Sequence, residues 1–399
     1  MIKTEYKAVI GKNFGDEGKG LATDFLCLNG TKNLVVRANG GAQSGHTVET
    51  RTKRFVFHEL SSGSFRHADT YWAETYHPDL YKLPEEIEDF RAQAGFVPKI
   101  FASKNAGITT ILDVVINMAL ETNRGTNRHG SCGMGIYETV LREEAGNKIT
   151  IEDVLRLGHE GLEKRLFEIR DNYTFKRFKE EHISLDSSFE YTDLLNDDNV
   201  IKNYAKAVCE NLSLIEVVDS EKEFFEQYDQ VIFENGQGLL LDSEREEFYP
   251  NVTGSRTGLY NINRILSSVG AKLSEVIYVS RSYVTRHGAG LLPFECDVKA
   301  ISESIKDETN LPNEWQGTLR YGLHESTSKF TEPVKEDLEE LSYKPKVSLL
   351  LTHINETDGD VLFKEKRVPA DKLLLEKEIK DTFDKIYLSS DRFSENIKG

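Results

Sequence analysis

The segment that most constrains what this chain can become is Gly11-Lys12-Asn13-Phe14-Gly15-Asp16-Glu17-Gly18-Lys19-Gly20. It follows the apolar run Ala8-Val9-Ile10 and precedes Leu21-Ala22-Thr23-Asp24-Phe25-Leu26. That order reads as strand, glycine-rich loop, helix. Such a loop presents backbone N–H groups at a helix N-terminus, where they bind phosphate oxygens. Lys19 adds a point charge for the same anion. The common phosphate loop ends in Lys-[Ser/Thr], whose hydroxyl goes to magnesium. Here Gly20 takes that place and an acid, Asp16, sits inside the loop. A carboxylate facing a phosphate is useful if it holds a metal or takes a proton. A glycine-rich loop alone is compatible with a plain tight turn, but Gly-Asp-Glu-Gly-Lys-Gly is a far more specific string.

A second loop follows the next predicted strand. Leu34-Val35-Val36-Arg37 runs into Asn39-Gly40-Gly41-Ala42-Gln43-Ser44-Gly45-His46-Thr47. A histidine set among glycines allows both backbone and imidazole to approach a ligand closely.

Strand-like apolar runs recur at 7–10, 34–36, 231–233, 276–279, 348–352 and 385–388, with helical patterns and loops between them. This alternation predicts an α/β fold, a mainly parallel sheet covered by helices. Ligands then bind beyond the carboxyl ends of the strands, where the glycine loops lie. Residues 148–228 are charged and helix-rich and read as a helical insertion in a single domain spanning 1–399. The net charge of −17 argues against nucleic-acid binding, which needs a basic face. Cys27, Cys132, Cys209 and Cys296 show neither metal nor disulfide spacing, which points to a reducing cytosol. No apolar run approaches the length of a membrane span.

The two loops carry a family resemblance. The chain resembles the adenylosuccinate synthetases, ligases that join aspartate to IMP using GTP. The family's first motif is close to Gly15–Gly20, and its second, Gly-Gly-x-x-x-Gly-His-Thr, is matched by Gly40–Thr47. Further matches follow in the family's order: 130–135 (Gly-Ser-Cys-Gly-Met-Gly), 234–242, 249–253 and 285–290 (Thr-Arg-His-Gly-Ala-Gly).

The resemblance implies roles residue by residue. Asp16 matches the base that takes the purine N1 proton and is also a magnesium ligand, with the Gly45 carbonyl as a further one. His46 matches the acid that assists phosphoryl transfer. Gly15, Glu17, Gly18, Lys19, Gly20, Gly45, His46 and Thr47 would surround the triphosphate. Gln237 and Gln43 would meet the purine near its 6-position, with Asp16 and Lys19 beside it. Thr253, Ser131 and Cys132 fall where the family holds the nucleotide 5′-phosphate, and Cys132 lacks the family's hydroxyl. Arg142 lies near an arginine that reaches that phosphate across a dimer interface, so a homodimer is implied.

Departures from the family pattern fall on specificity. The family reads guanine with Thr-Lys-x-Asp, and the equivalent here is Thr352-His353-Ile354-Asn355. An amide both accepts and donates, so GTP or ATP fits as donor. Ser389-Ser390-Asp391-Arg392 stands where the family has Gly-Pro-Asp-Arg. The arginine-rich loop that clamps aspartate corresponds to 313–322, where Arg320 is the one arginine and Thr318 a further contact. Arg286 and Arg320 are assigned to the amino-acid carboxylates, and Arg320 also to the nucleotide. Gln43 replaces an asparagine. Retention of Asp16 favours a hypoxanthine-type substrate over a 2-aminopurine. The expected function is ligation of aspartate to IMP with Mg2+ and GTP or ATP. The alternatives are a paralogue with another donor, purine or amino acid, and a nucleotide-binding regulator without turnover.

Overall fold

The fold is described from a computed structural model, over residues 3–125, 128, 130–303, 305 and 317–399. Its centre is a nine-stranded sheet: β1 (Glu5–Gly11), β2 (Asn33–Arg37), β3 (Asp69–Trp72), β4 (Ile100–Ser103), β5 (Glu216–Val218), β6 (Gln230–Gly238), β7 (Glu275–Arg281), β8 (Lys346–Thr352) and β9 (Lys385–Leu388). The strands lie in the order β9-β8-β7-β1-β6-β2-β3-β4-β5, and every pairing is parallel. The chain starts in the middle, builds outward to β5, returns to insert β6 between β1 and β2, then builds the other half. The expected parallel α/β fold is therefore what forms.

The sequence dictates this through strands that are apolar on both faces, as buried parallel strands must be. Ala8, Ile10, Val36, Phe233, Tyr278 and Leu349 belong to one core. Val9, Val35, Ile232, Ile277 and Leu350 point the other way into a second. Helix α1 (Lys19–Leu26) seals that second face with Ala22 and Leu26. Full burial of one leucine side chain contributes roughly 2 kcal/mol.

The six strands predicted from apolar runs are all present. β3, β4 and β5 escaped because each is only three or four residues long. Residues 148–228 are mostly helical, yet they enclose β5. Leu162, Leu166, Phe178, Ile201 and Val208 from this stretch share a core with Trp72 of β3 and Ile100 of β4. Among the described residues, no helix is long and apolar enough to cross a membrane.

Candidate active site

Because the strands are parallel, the loops after β1, β2, β6, β7, β8 and β9 open on one edge of the sheet. They surround a cavity of about 1040 Å³. That exceeds the usual range for one small ligand, about 300–1,000 Å³.

The first loop is shaped from within. Gly15, Asp16 and Gly18 have φ of 99°, 58° and 98°, left-handed conformations that turn the loop tightly before α1. Glu17 holds this shape: its Oε1 accepts from the N–H of Asn13 at 2.9 Å and of Gly15 at 2.8 Å. Its Oε2 pairs with Lys19 Nζ at 3.2 Å. The Glu17 side chain is thus buried under the loop and absent from the cavity wall, which corrects its expected place at the triphosphate. Its carboxylate spends its lone pairs on the loop's own donors. A side chain at Gly20 would meet the Thr47 carbonyl at 2.9 Å and the His46 Cβ at 3.2 Å. Glycine here lets α1 abut the second loop, which accounts for the missing hydroxyl residue.

His46 is placed by a buried relay. Its Nδ1 lies 2.9 Å from Glu234 Oε1, and Arg37 Nη1 lies 3.5 Å from Glu234 Oε2. A carboxylate only accepts, so Nδ1 donates to Glu234; Nε2 lies 3.3 Å from the Gly236 carbonyl, also an acceptor, so it makes that bond only when the ring carries both protons. Burial alone would raise the Glu234 pKa, but the His46 ring, the Arg37 guanidinium and Ser62 hold it at about 2. Arg37, charged at every accessible pH, keeps that carboxylate ionised. Burial lowers the His46 pKa, against the pull of Glu234.

Gln237 accepts from Asn39 Nδ2 at 3.2 Å, and Asn39 Oδ1 accepts from the Gly236 N–H at 2.9 Å. Asp16, Gly18, Lys19, Gly20, Gln43, Gly45, His46, Thr47 and Gln237 all line the cavity. Ser131, Cys132, Thr253 and Arg286 line it from farther along the chain. Ser131 shares hydrogen bonds with Asn117 at 3.0 and 3.2 Å. Burial pushes the Cys132 thiol up to about 11, so it stays protonated. Arg286 stacks 4.5 Å from the Phe14 ring and donates to the Leu291 and Asn251 carbonyls, both at 2.6 Å. Burial and then Arg320 lower its pKa to about 10. Among the described residues, the buried lining atoms Gln43 Oε1, Thr47 Oγ1 and Arg286 Nε find no protein partner. Such atoms are costly unless a ligand or water completes them.

Several expected contacts lie elsewhere. Arg142 is fully buried and holds Asp113 with Nε at 2.8 Å and Nη2 at 2.9 Å, while donating to the Ile108 and Asn147 carbonyls. A guanidinium committed this way cannot reach across to another subunit. Arg320 pairs bidentately with Glu295 and donates to the Gly288 and Gly290 carbonyls, so it is absent from the wall. Thr318 is exposed and outside the cavity, and residues 313–316 of the same loop lie outside the described residues. Ser389 is buried, its hydroxyl bonded to the Asp391 carbonyl at 2.8 Å, and Ser390 is exposed away from the wall. Their neighbours Asp391 and Arg392 line the cavity instead. Thr352 and Asn355 are placed as expected.

Among the lining residues that carry no role in the sequence reading are two histidines, an arginine and a glutamate. His287 Nε2 lies 3.3 Å from Asp16 Oδ2. His58 donates from Nδ1 to the Ala42 carbonyl at 2.8 Å, which makes its Nε2 an acceptor. Arg281 and Glu356 are the others. The glycine-flanked Arg286-His287-Gly288 string was the available signal for His287; the rest had none.

Comparison with known proteins gives this geometry a lineage. The adenylosuccinate synthetase family model matches residues 8–318. The chain belongs to the adenylosuccinate synthetase family. The Thermoplasma acidophilum adenylosuccinate synthetase is 31% identical over 289 residues, 72% of this chain and 63% of that protein. The Mesoplasma florum enzyme is 27% identical over 300 residues, 75% of this chain and 66% of that protein. The chain thus spans just under two thirds of the length of these curated relatives. The solved structure of fully ligated adenylosuccinate synthetase from Plasmodium falciparum superposes with a TM-score of 0.70 at 18% identity, covering 98% of both chains. Cyanophage S-2L succinoaminodeoxyadenylate synthetase, solved with dGMP and with dATP as an energy donor, superposes at 0.63 with 13% identity, covering 99% of this chain and 95% of its own.

Proposed function

We propose that this protein joins aspartate to IMP with consumption of GTP or ATP, giving adenylosuccinate. The observation that carries this reading is the convergence of Asp16, His46 and Gln237 on one cavity from three adjacent strand ends. Asp16 takes the purine N1 proton as O6 attacks the γ-phosphorus, and the nucleoside diphosphate leaves. The amino group of aspartate then attacks C6 and expels inorganic phosphate. Burial depresses the His46 pKa, and the negative charge of incoming phosphates supplies the partner that restores its proton. The unpartnered Arg286 Nε and its stacked guanidinium suit an anionic group.

Magnesium fits this site. Asp16 and the Gly45 main chain offer hard oxygen donors on the wall, and among the described residues no three His, Cys, Asp or Glu side chains gather to hold a metal. That suits an ion that keeps waters and phosphate oxygens in its shell. When bound, it would neutralise charge on the phosphates.

A second reading keeps the chemistry and changes the reactants. Asn355 and the commitment of Arg320 to Glu295 both alter the specificity side of the cavity. We further propose a homodimer, checked by light scattering. The deciding assay is magnesium-dependent phosphate release with IMP, dGMP or no nucleotide, crossed with GTP or ATP, with and without aspartate. Adenylosuccinate formed only in wells holding IMP and aspartate is the expected outcome. Silence in every IMP well overturns the first reading and directs the search to other purines and amino acids.

A further inference from the structure

The turn after β8 and the loop after β1 both line the cavity, and side-chain bonds tie them together. Arg281, at the carboxyl end of β7, donates from Nε to the Asp16 carbonyl at 2.6 Å. Its Nη1 donates to the Tyr283 hydroxyl at 3.0 Å. Tyr283 in turn donates to Glu356 Oε2 at 2.5 Å. Arginine has only donors and a carboxylate only acceptors, so the phenol between them accepts from Arg281 and donates to Glu356. Burial pushes the Tyr283 pKa above its ordinary range, which keeps its proton in place.

A second bond runs beside the first. Thr352 Oγ1 donates to the Glu17 carbonyl at 2.7 Å. Two consecutive carbonyls of the phosphate loop, at Asp16 and Glu17, are therefore held from the β7–β8 side. The hold matters because Asp16 has φ of 58°, which a residue with a side chain adopts only when its surroundings impose it. At the far end, Glu356 and Asn355 sit in the turn Ile354–Thr357, flanked by His353 and Asp358 with φ of 57° and 56°. Both residues face the cavity. The turn is braced as well, with Ser282 Oγ donating to the His353 carbonyl at 3.0 Å.

We propose that Arg281 is a positioning residue for Asp16, and that Tyr283 and Glu356 link it to the turn that receives the base of the triphosphate donor. Seating a base against Asn355 and Glu356 tightens the relay and sets the Asp16 carbonyl, so that the carboxylate is aimed only when a donor is present. This rests on the proposed role of Asp16 and adds a link that role does not require.

The test uses the full chain with Tyr283→Phe and Glu356→Gln, singly and together. Tyr283→Phe keeps the buried ring and removes the hydroxyl. In the ligand-free protein, amide exchange of residues 12–18 is expected to quicken about tenfold in either variant, with residues 276–280 of β7 unchanged. In turnover, kcat with ATP or GTP falls about tenfold while KM for aspartate holds, and the double variant is no worse than the poorer single one. Unchanged exchange in 12–18 overturns the relay, and so do losses that multiply in the double variant. If exchange responds as expected while wild-type protein releases no phosphate with IMP, the relay stands and the proposed acceptor is wrong.

Discussion

The two sides of the cavity were built by different rules. On the phosphate side, the loops after β1 and β2 hold Asp16, Lys19, Gly45, His46 and Thr47, and all five line the wall. On the specificity side, Arg320, Thr318, Ser389 and Ser390 lie off the wall, while Arg281, Glu356, Asp391 and Arg392 lie on it. Phosphate is bound mainly by backbone, so a short string of glycines is nearly a complete description of its site. A base or an amino acid is read by side chains carried in from distant segments. Their aim depends on partners such as Glu295, which is 25 residues from Arg320.

Four experiments break or sharpen this contrast. The largest expected effect is that of Asp16→Ala, which removes the proposed base and should cost about a thousandfold in turnover or more, with the folded circular dichroism spectrum kept. Activity within tenfold of wild type would put the proton acceptor elsewhere, with His287 the nearest candidate. Next comes Arg142→Ala, where the expected loss is in stability: an uncompensated buried Asp113 carboxylate costs about 3 kcal/mol by denaturant titration. The folded variant keeps most of its activity, and mixing it with Asp16→Ala restores nothing beyond its own share. Recovery in a demonstrated mixed dimer would return Arg142 to the phosphate site.

His46→Ala should lower kcat about a hundredfold. Glu234→Gln, which keeps the ring's partner but loses the charge, should fall between that variant and wild type. Equal loss in both would make the carboxylate as important as the imidazole. The smallest effect is on acid stability. Glu234 has a folded pKa of about 2 against 4.5 as the ordinary value. A depressed acid stabilises the fold above its unfolded pKa, and that contribution is lost as pH falls from about 4.5 through about 2. Glu234→Gln should therefore flatten the unfolding curve in that window, measured by circular dichroism. An identical acid limb would mean that Arg37 and His46 do not hold the charge.

Much of the fold was legible because central parallel strands are continuous apolar runs. β1, β2, β6, β7, β8 and β9 announce themselves that way. The short strands β3, β4 and β5, on the side of the sheet built before β6, do not. Glu17 shows the limit inside the motif itself. A carboxylate in a phosphate loop has the same letter whether it faces the ligand or turns under to hold Asn13 and Gly15.

The sequence by itself determined the parallel α/β architecture and the glycine-rich loop between β1 and α1, because these rest on local chain geometry: glycine conformations, apolar strand runs and a helix start. Only the tertiary structure decided which arginines are free to meet a substrate. Arg286 is stacked on the wall, Arg142 is locked to Asp113, and Arg320 is bound to Glu295. A guanidinium goes to whichever carboxylate, carbonyl or ring the fold brings within about 3–6 Å, and that neighbour comes from residues remote in the chain.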